Sequence, residues 1–298
     1  MRILLTGSNG LVGTALREHW VAHGWEIRRL VRGPVPSFGD CRYWDPTAGV
    51  IDATVLDGVD AVVHLAGEAI AEGRWTAAKK RRIRESRIQS TALIARTIAK
   101  AISPPPVLVC ASAVGIYGDR GQEWVGEESA PGCGFLSQVC VDWEAAASPA
   151  LSAGVRCVFL RLGIVLSSKG GALARMLPFF RWGLGGRIGS GDQMMSWIGI
   201  DDLLCVVDQA IQAHGMQGPV NAVTPCPVSN REFTRLLAAR VGRPAWLPAP
   251  AWALRLVFGE MAEAALLASV RVRPQRLLDA GFTFRHPELS GWLSSARF

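Results

Sequence analysis

The sequence predicts an α/β fold, a doubly wound parallel sheet with a smaller C-terminal lobe, on three observations. The chain opens on an apolar run, Ile3 to Leu5, followed by Gly7, Gly10 and Gly13 at three-residue spacing and then an amphipathic stretch. Runs typical of buried strands alternate with helical patterns through about residue 165. Beyond that point the texture changes to clustered glycines and aromatics, then to short helical patterns broken by prolines.

The opening run reads as strand, tight turn and helix. Gly7 permits the sharp turn, Gly10 lets backbone approach a pyrophosphate, and Gly13 lets the helix pack close to the strand while its N-terminal N–H groups face the anion. Glycine turns before helices are common. Here the turn directly follows the strand that opens the chain, and a second strand lies at the expected distance, which points to a dinucleotide cradle of the Rossmann type.

Trp25 to Arg32 forms that second strand. An NAD site would carry an acidic residue near its end, whereas this strand ends in Arg32 with Arg29 nearby. A guanidinium there binds a 2′-phosphate through charge-assisted hydrogen bonds, so NADP is expected over NAD. Residues 33–60 read as irregular, with a short strand around Tyr43–Trp44 and a helix around Ile51–Leu56. Ala61 to Gly67 is a buried strand ending in a small-residue turn along which a cofactor can lie, and His64 reads as a core residue.

A basic helix over Thr76 to Lys100 follows, stopped by Ser103-Pro104-Pro105-Pro106. Val107 to Ser112 is another buried strand leading into Ala113 to Gly118, Gly134 to Ala153 reads as helical, and Val155 to Leu162 as a further strand. Seven glycines between Gly170 and Gly191, mixed with Trp182, Met194, Met195 and Trp197, suit a substrate cleft. Asp201-Asp202 begins a helix and Pro219 to Val223 reads as a last strand. The expected division is a cofactor domain over residues 1–165, joined again by about 199–224, and a mostly helical substrate lobe over 166–298.

A chain of 298 residues with 49% hydrophobic content can bury a large core. It shows no apolar stretch of about 18 residues and no signal-peptide pattern, so a soluble cytoplasmic protein without a membrane partner is expected. Seven cysteines without a C-x-x-C pair favour reduced, mostly buried thiols. His19 and His23 share a helix face, but with no third ligand nearby an exposed face is the expectation and no metal is assigned. The net charge of +7 is partly concentrated at Lys79, Lys80, Arg81, Arg82, Arg84 and Arg87. Without interleaved aromatics that run reads as a solvated helix face, and no nucleic-acid partner is expected.

With these residues in view the chain resembles the extended short-chain dehydrogenase/reductase superfamily. More narrowly it resembles the epimerase-family proteins described as sugar-nucleotide epimerase-like or cell-division-inhibitor-like. The resemblance rests on TGSNGLVG at 6–13, HLAGE at 64–68, RW at 74–75, ASAVGIYG at 111–118, DWEAAA at 142–147, LRLGIVLSSKGGAL at 160–173, GLGGRIGSG at 183–191, SWIGIDDL at 196–203 and GEMAEAALLASVRVRP at 259–274. It implies a Rossmann domain that binds NADP and a small substrate lobe. By position, Gly7, Asn9, Gly10, Leu11, Val12 and Gly13 would hold the pyrophosphate and Arg32 the 2′-phosphate. Leu65, Ala66 and Gly67 would lie along the cofactor, with Ala111 beside it, Ile164 and Val165 beside the nicotinamide, and Arg87 where many relatives place an asparagine.

The resemblance also exposes a gap. The superfamily's Tyr-x-x-x-Lys pair cannot occur here, because Thr47 and Gly121 stand four residues beyond the only tyrosines, Tyr43 and Tyr117. Counted back from Glu144, the two positions fall on Leu136 and Cys140, and the usual hydroxyl position on the preceding strand falls on Ala113, one past Ser112. Three functions remain open: a reductase or epimerase acting on a small carbonyl or nucleotide-sugar-type substrate with Tyr117 or Ser112 as acid, an NADP-binding sensor, or nucleic-acid binding by the basic helix.

Overall fold

The computed structural model describes residues 1–33, 35 and 40–298. That part of the irregular 33–60 stretch which falls on residues 34 and 36–39 lies outside the described residues.

The chain begins with β1 (Arg2–Thr6), whose Ile3 and Leu5 face one side of the sheet and Leu4 the other, as the two-residue period of a strand dictates. Next come α1 (Leu11–Ala22), β2 (Glu26–Val31), β3 (Cys41–Asp45) and β4 (Val50–Ile51). The helix expected around Ile51–Leu56 is shorter. Ile51 pairs with Trp44 in the β3–β4 hairpin, and Asp52 caps a single 3₁₀ turn, its Oδ1 accepting from Thr54 N at 2.9 Å.

Then follow β5 (Ala61–His64), α2 (Ala77–Lys100), β6 (Val107–Ala113), β7 (Trp124–Val125), α3 (Phe135–Ala145), α4 (Ser148–Ser152) and β8 (Arg156–Leu162). Thr76 caps α2 by accepting from Lys79 N. The helix read over 134–153 is divided in two, because Pro149 cannot continue α3 but fits the first turn of α4. After β9 (Ile164–Leu166), the glycine-rich stretch contains a helix, α5 (Gly171–Arg181), which buries Leu173, Leu177 and Phe180 at helical spacing.

The remaining elements are β10 (Met194–Met195), β11 (Trp197–Gly199), α6 (Ile200–Gln212), β12 (Gly218–Ala222), β13 (Val228–Ser229), α7 (Asn230–Val241), α8 (Ala251–Phe258), β14 (Arg271–Val272), α9 (Gln275–Asp279) and α10 (Leu289–Ser295). The main sheet has eight strands in the order β12-β8-β6-β5-β1-β2-β3-β4, all parallel except the β3–β4 pair. One face packs on α1 and α6 through Leu16, Trp20, Leu203 and Val207, the other on α2 through Leu93, Ile94 and Ile98. A separate cluster from α5, α7 and α10, with Leu177, Phe233 and Trp292, makes the core of the C-terminal part.

Asp208 joins α6 to α1 by accepting from Trp20 Nε1 at 2.7 Å and meeting His19 Nε2 at 2.6 Å. His19 is therefore held at a helix interface instead of facing solvent. Among the described residues no group of three or more His, Cys, Asp or Glu is arranged to hold a metal, and no helix is long and apolar enough to cross a membrane. All seven cysteines are free thiols; Cys41, Cys110, Cys140 and Cys157 are buried, and Cys133 is exposed.

His64, wholly buried at the end of β5, ties three elements together. Its Nδ1 lies 2.7 Å from Thr6 Oγ1 on β1 and its Nε2 3.0 Å from Ser90 Oγ on α2. Ser90 directs its hydroxyl proton to Ser86 O at 2.6 Å, so Nε2 must be the donor and Nδ1 the acceptor from Thr6. Thr6 Oγ1 in turn accepts from Leu65 N and Ala66 N at 3.1 and 3.2 Å.

Burial pushes the His64 pKa down to about 3 from 6.5, so the native state keeps it neutral while the unfolded chain takes up a proton below about pH 6.5. This residue's stabilising contribution therefore falls as pH drops from about 6.5 toward about 3, by ~1.4 kcal/mol per pH unit. Urea unfolding at several pH values in that window is expected to give a steeper stability loss for the native protein than for His64→Gln. Equal slopes would contradict the assignment.

Candidate cofactor site

The site forms where β1, β5, β6 and β9 end, as ligand clefts of open parallel sheets do. The register sets Thr6 across from His64 and His64 across from Cys110, so the loops that follow leave the sheet side by side. Gly7 sits at φ +67°, and a Cβ there would lie 2.7 Å from the carbonyl carbon of Leu65. A Cβ on Gly13 would lie 2.2 Å from Gly7 O. Both are glycine because backbone meets backbone at those points.

Gly10 differs. Its Cβ would meet only Gly7 O, at 3.4 Å, and the residue is exposed. The protein itself leaves room for a side chain there. Gly10 is also the N-cap of α1, with no side-chain cap and no acidic residue in the first turn, which leaves the amides of Leu11, Val12 and Gly13 for an anion. Asn9 is exposed beside them, and the segment at Gly170–Gly171 packs on the Leu11 side chain.

Leu65 and Ala66 are half-buried and Gly67 exposed, on a loop held by Thr6 Oγ1. Arg87 comes to the same place from α2: a Cβ on Gly67 would lie 3.3 Å from its Cζ. Arg87 Nη1 donates to Glu68 O at 3.1 Å and Ile83 O at 3.0 Å, and its guanidinium stacks 5.0 Å from the Trp143 ring. Burial lowers its pKa from an ordinary value so high that it keeps its charge. Ala111 is buried in β6, while Ile164 and Val165 are half-buried in β9, held parallel to Trp197 and Ile198. Arg32 is exposed just past β2, while Arg28 and Arg42 share Asp40 at 2.8 and 3.0 Å.

The two candidate acids point elsewhere. Tyr117 is 0% exposed; its hydroxyl donates to Asn221 Oδ1 at 2.8 Å and accepts from Arg161 Nη1 at 2.9 Å. Burial raises its pKa, against the partly offsetting pull of Arg161. Ser112 is 2% exposed and donates to Glu144 Oε1 at 2.7 Å. The Glu144 carboxylate is gripped by Arg161 through Nε and Nη2, both at 3.0 Å. The expectation that Tyr117 or Ser112 faces a substrate thus meets an interior network, because alternate strand residues face opposite ways and Ser112 turns toward α3.

At the positions of the missing pair, Leu136 packs in an apolar cluster with Trp75, Ile83 and Met261, and burial pushes the Cys140 thiol up to about 12. Neither offers a charge or a mobile proton. Sequence reading did not find Arg161 and Glu144, which looked like a strand residue and a counting mark, nor the Glu68–Lys79 pair at 2.8 Å. The H-L-A-G-E run was the one signal for Glu68. Lys79 holds its carboxyl below the usual range. Elsewhere on α2, Lys80 meets Glu260 and Arg84 meets Asp142, at 2.8 and 2.7 Å, so much of the basic run binds protein carboxylates.

Comparison with known proteins agrees with this geometry. The model described as "NAD dependent epimerase/dehydratase family" matches residues 3–222, and that of a domain of unknown function (DUF1731) matches 249–296. The chain is 43% identical over 284 residues to the epimerase family protein MT2273 of Mycobacterium tuberculosis, covering 95% of this chain and 93% of that one. It is 38% identical over 297 residues to human epimerase family protein SDR39U1, covering 98% of each. The crystal structure of human SDR39U1 (isoform 2) with NADPH superposes with a TM-score of 0.90 at 36% identity over 98% of both chains. The nucleoside-diphosphate sugar epimerase from Corynebacterium glutamicum gives 0.80 at 38% identity, over 99% of this chain and 57% of that one.

Tyr117→Phe removes the donor to Asn221 and one acceptor of Arg161 inside the protein. Chemical denaturation is expected to show a loss of about 1–3 kcal/mol. A variant as stable as the native protein would show that the network is not closed around this hydroxyl.

Proposed function

Because the chain belongs to the NAD-dependent epimerase/dehydratase family, we propose that it binds NADP(H), and that cofactor binding without the family's usual proton relay is its function. The observation that carries this is Gly10, a glycine the protein's own packing does not require, at the uncapped start of α1. Gly7, Asn9, Gly10, Leu11, Val12 and Gly13 would receive the pyrophosphate and Arg32 the 2′-phosphate. Leu65, Ala66, Gly67, Ala111, Ile164 and Val165 would flank the rest, with Arg87 offering a fixed positive charge beside Gly67. The bound dinucleotide would supply hydride chemistry.

That human SDR39U1 was crystallised with NADPH supports the choice of nucleotide. The enclosed hydroxyls of Ser112 and Tyr117 favour a sensor, whose occupancy by NADP(H) is the signal, over an efficient catalyst. The second reading is an oxidoreductase or epimerase acting on a small carbonyl or nucleotide-sugar-type substrate. It is favoured by the Glu68–Lys79 pair, a titratable couple one residue past Gly67.

Fluorescence titration tests the cofactor. Arg32→Asp is expected to weaken NADPH about tenfold to a hundredfold and leave NADH unchanged. A native preference for NADH, or unaltered NADPH affinity in the variant, would refute the 2′-phosphate assignment. Gly10→Ala is expected to keep the fold and weaken NADPH at least about tenfold, since backbone must approach the phosphates there. NADPH oxidation across a panel of carbonyl compounds, together with isomer conversion of nucleotide sugars in the presence of NADP, separates the readings: tight binding with neither activity supports the sensor, and either activity supports the enzyme.

A further inference from the structure

Helix α8 departs from the rule that an apolar helix lies inside a protein. Seven of its eight residues are apolar, Ala251-Trp252-Ala253-Leu254-Arg255-Leu256-Val257-Phe258, and none is buried. Trp252 is 68% exposed, and Leu256, one turn on, shares its face. The segment entering α8 adds Trp246, 84% exposed, and Leu247; the end of α5 adds Phe179, Trp182 and Leu184, each at least half exposed. Backbone hydrogen bonds hold the two segments side by side: Leu247 N to Gly185 O at 3.3 Å, Ala249 N to Arg187 O at 2.9 Å and Gly189 N to Ala249 O at 2.9 Å. The two adjoining segments thus carry a concentration of exposed apolar side chains, of the kind that monomeric proteins keep for contacts.

The charge around it is mostly positive. Residues 175–191 and 243–263 contain Arg175, Arg181, Arg187, Arg243 and Arg255 against two acids, Glu260 and Glu263. Both acids are taken, Glu260 by Lys80 and Glu263 by Arg255. Arg181, Arg187 and Arg243 are exposed and make no salt bridge among the described residues. A second copy docking on this face by two-fold symmetry would oppose two patches with the same positive excess.

We propose that this face, α8 with the Trp246–Leu247 and Phe179–Leu184 edges, seats peripherally on an anionic phospholipid surface. Tryptophan and leucine side chains enter the headgroup boundary while unpaired guanidinium groups meet lipid phosphates. That no helix among the described residues is long and apolar enough to cross a membrane does not bear on this contact, which lies on the bilayer and does not cross it. No residue of this surface is among those assigned to the cofactor, so lipid contact and cofactor binding can be measured independently.

The test is co-sedimentation of the full chain with vesicles of phosphatidylcholine alone and of phosphatidylcholine with an equal share of phosphatidylglycerol. The native protein is expected to pellet with the anionic vesicles only, and less so as salt rises. Arg181→Glu/Arg187→Glu is expected to weaken that binding by about fivefold or more per arginine, and Trp252→Glu/Leu256→Glu to weaken it at least about tenfold. Both variants should keep the native urea midpoint and NADPH affinity. Equal binding to neutral vesicles, binding unaffected by either variant, or no vesicle binding would overturn the proposal. Conversion of a native oligomer to monomer by Trp252→Glu/Leu256→Glu would instead identify the face as an interface between copies.

Discussion

The site depends on one neutral imidazole. His64 joins β1, β5 and α2 because its two ring nitrogens play opposite roles, accepting from Thr6 and donating to Ser90. Thr6, its proton committed to the ring, accepts from the two amides that begin the H-L-A-G loop. That loop passes so close to Gly7 that no side chain fits between them. The turn after β1, the loop after β5 and the middle of the basic helix are thus set relative to one another by a chain of hydrogen bonds with a single consistent proton arrangement.

A second polar network lies on the other side of β6. Ser112, Glu144, Arg161, Tyr117 and Asn221 satisfy one another, with Arg161 also reaching Glu127 O at 3.0 Å. A buried ion pair tolerates its desolvation only when the remaining donors and acceptors are filled, and here Tyr117 and Ser112 fill them. The hydroxyls nearest in sequence to a catalytic role are therefore parts of the interior. The glycine loop at Gly7–Gly13 opens outward, whereas the hydroxyls of Ser112 and Tyr117 are spent on Glu144, Arg161 and Asn221 inside the protein.

Much of this was readable in the sequence, and the unreadable part has physical reasons. The parallel strands announced themselves as apolar runs, and the glycine spacing located the turn after β1 because Gly7 and Gly13 are dictated by local backbone approach. His64 was readable as core from its apolar neighbours. What no local pattern encodes is the direction of a side chain at a strand end: Tyr117 lies at the expected place in the chain, yet its hydroxyl meets Asn221 more than a hundred residues away. The same holds for α2, whose basic residues looked solvated until Glu68, Asp142 and Glu260 were brought to them from three other segments. α5 was hidden because flanking glycines masked the spacing of Leu173, Leu177 and Phe180.

The strand order has a consequence for how the protein is made. β8 pairs on one side with β6 and on the other with β12, which lies some sixty residues further on, after most of the glycine-rich segment and α6. As the chain emerges from the ribosome, the edge of β8, with Val158 and Leu160 in its core-facing row, stays unpaired until Gly218–Ala222 is synthesised. The sheet cannot close on the first half of the molecule alone. A nascent chain paused in the interval presents an open apolar strand edge, and that interval is when holding by a chaperone would matter most.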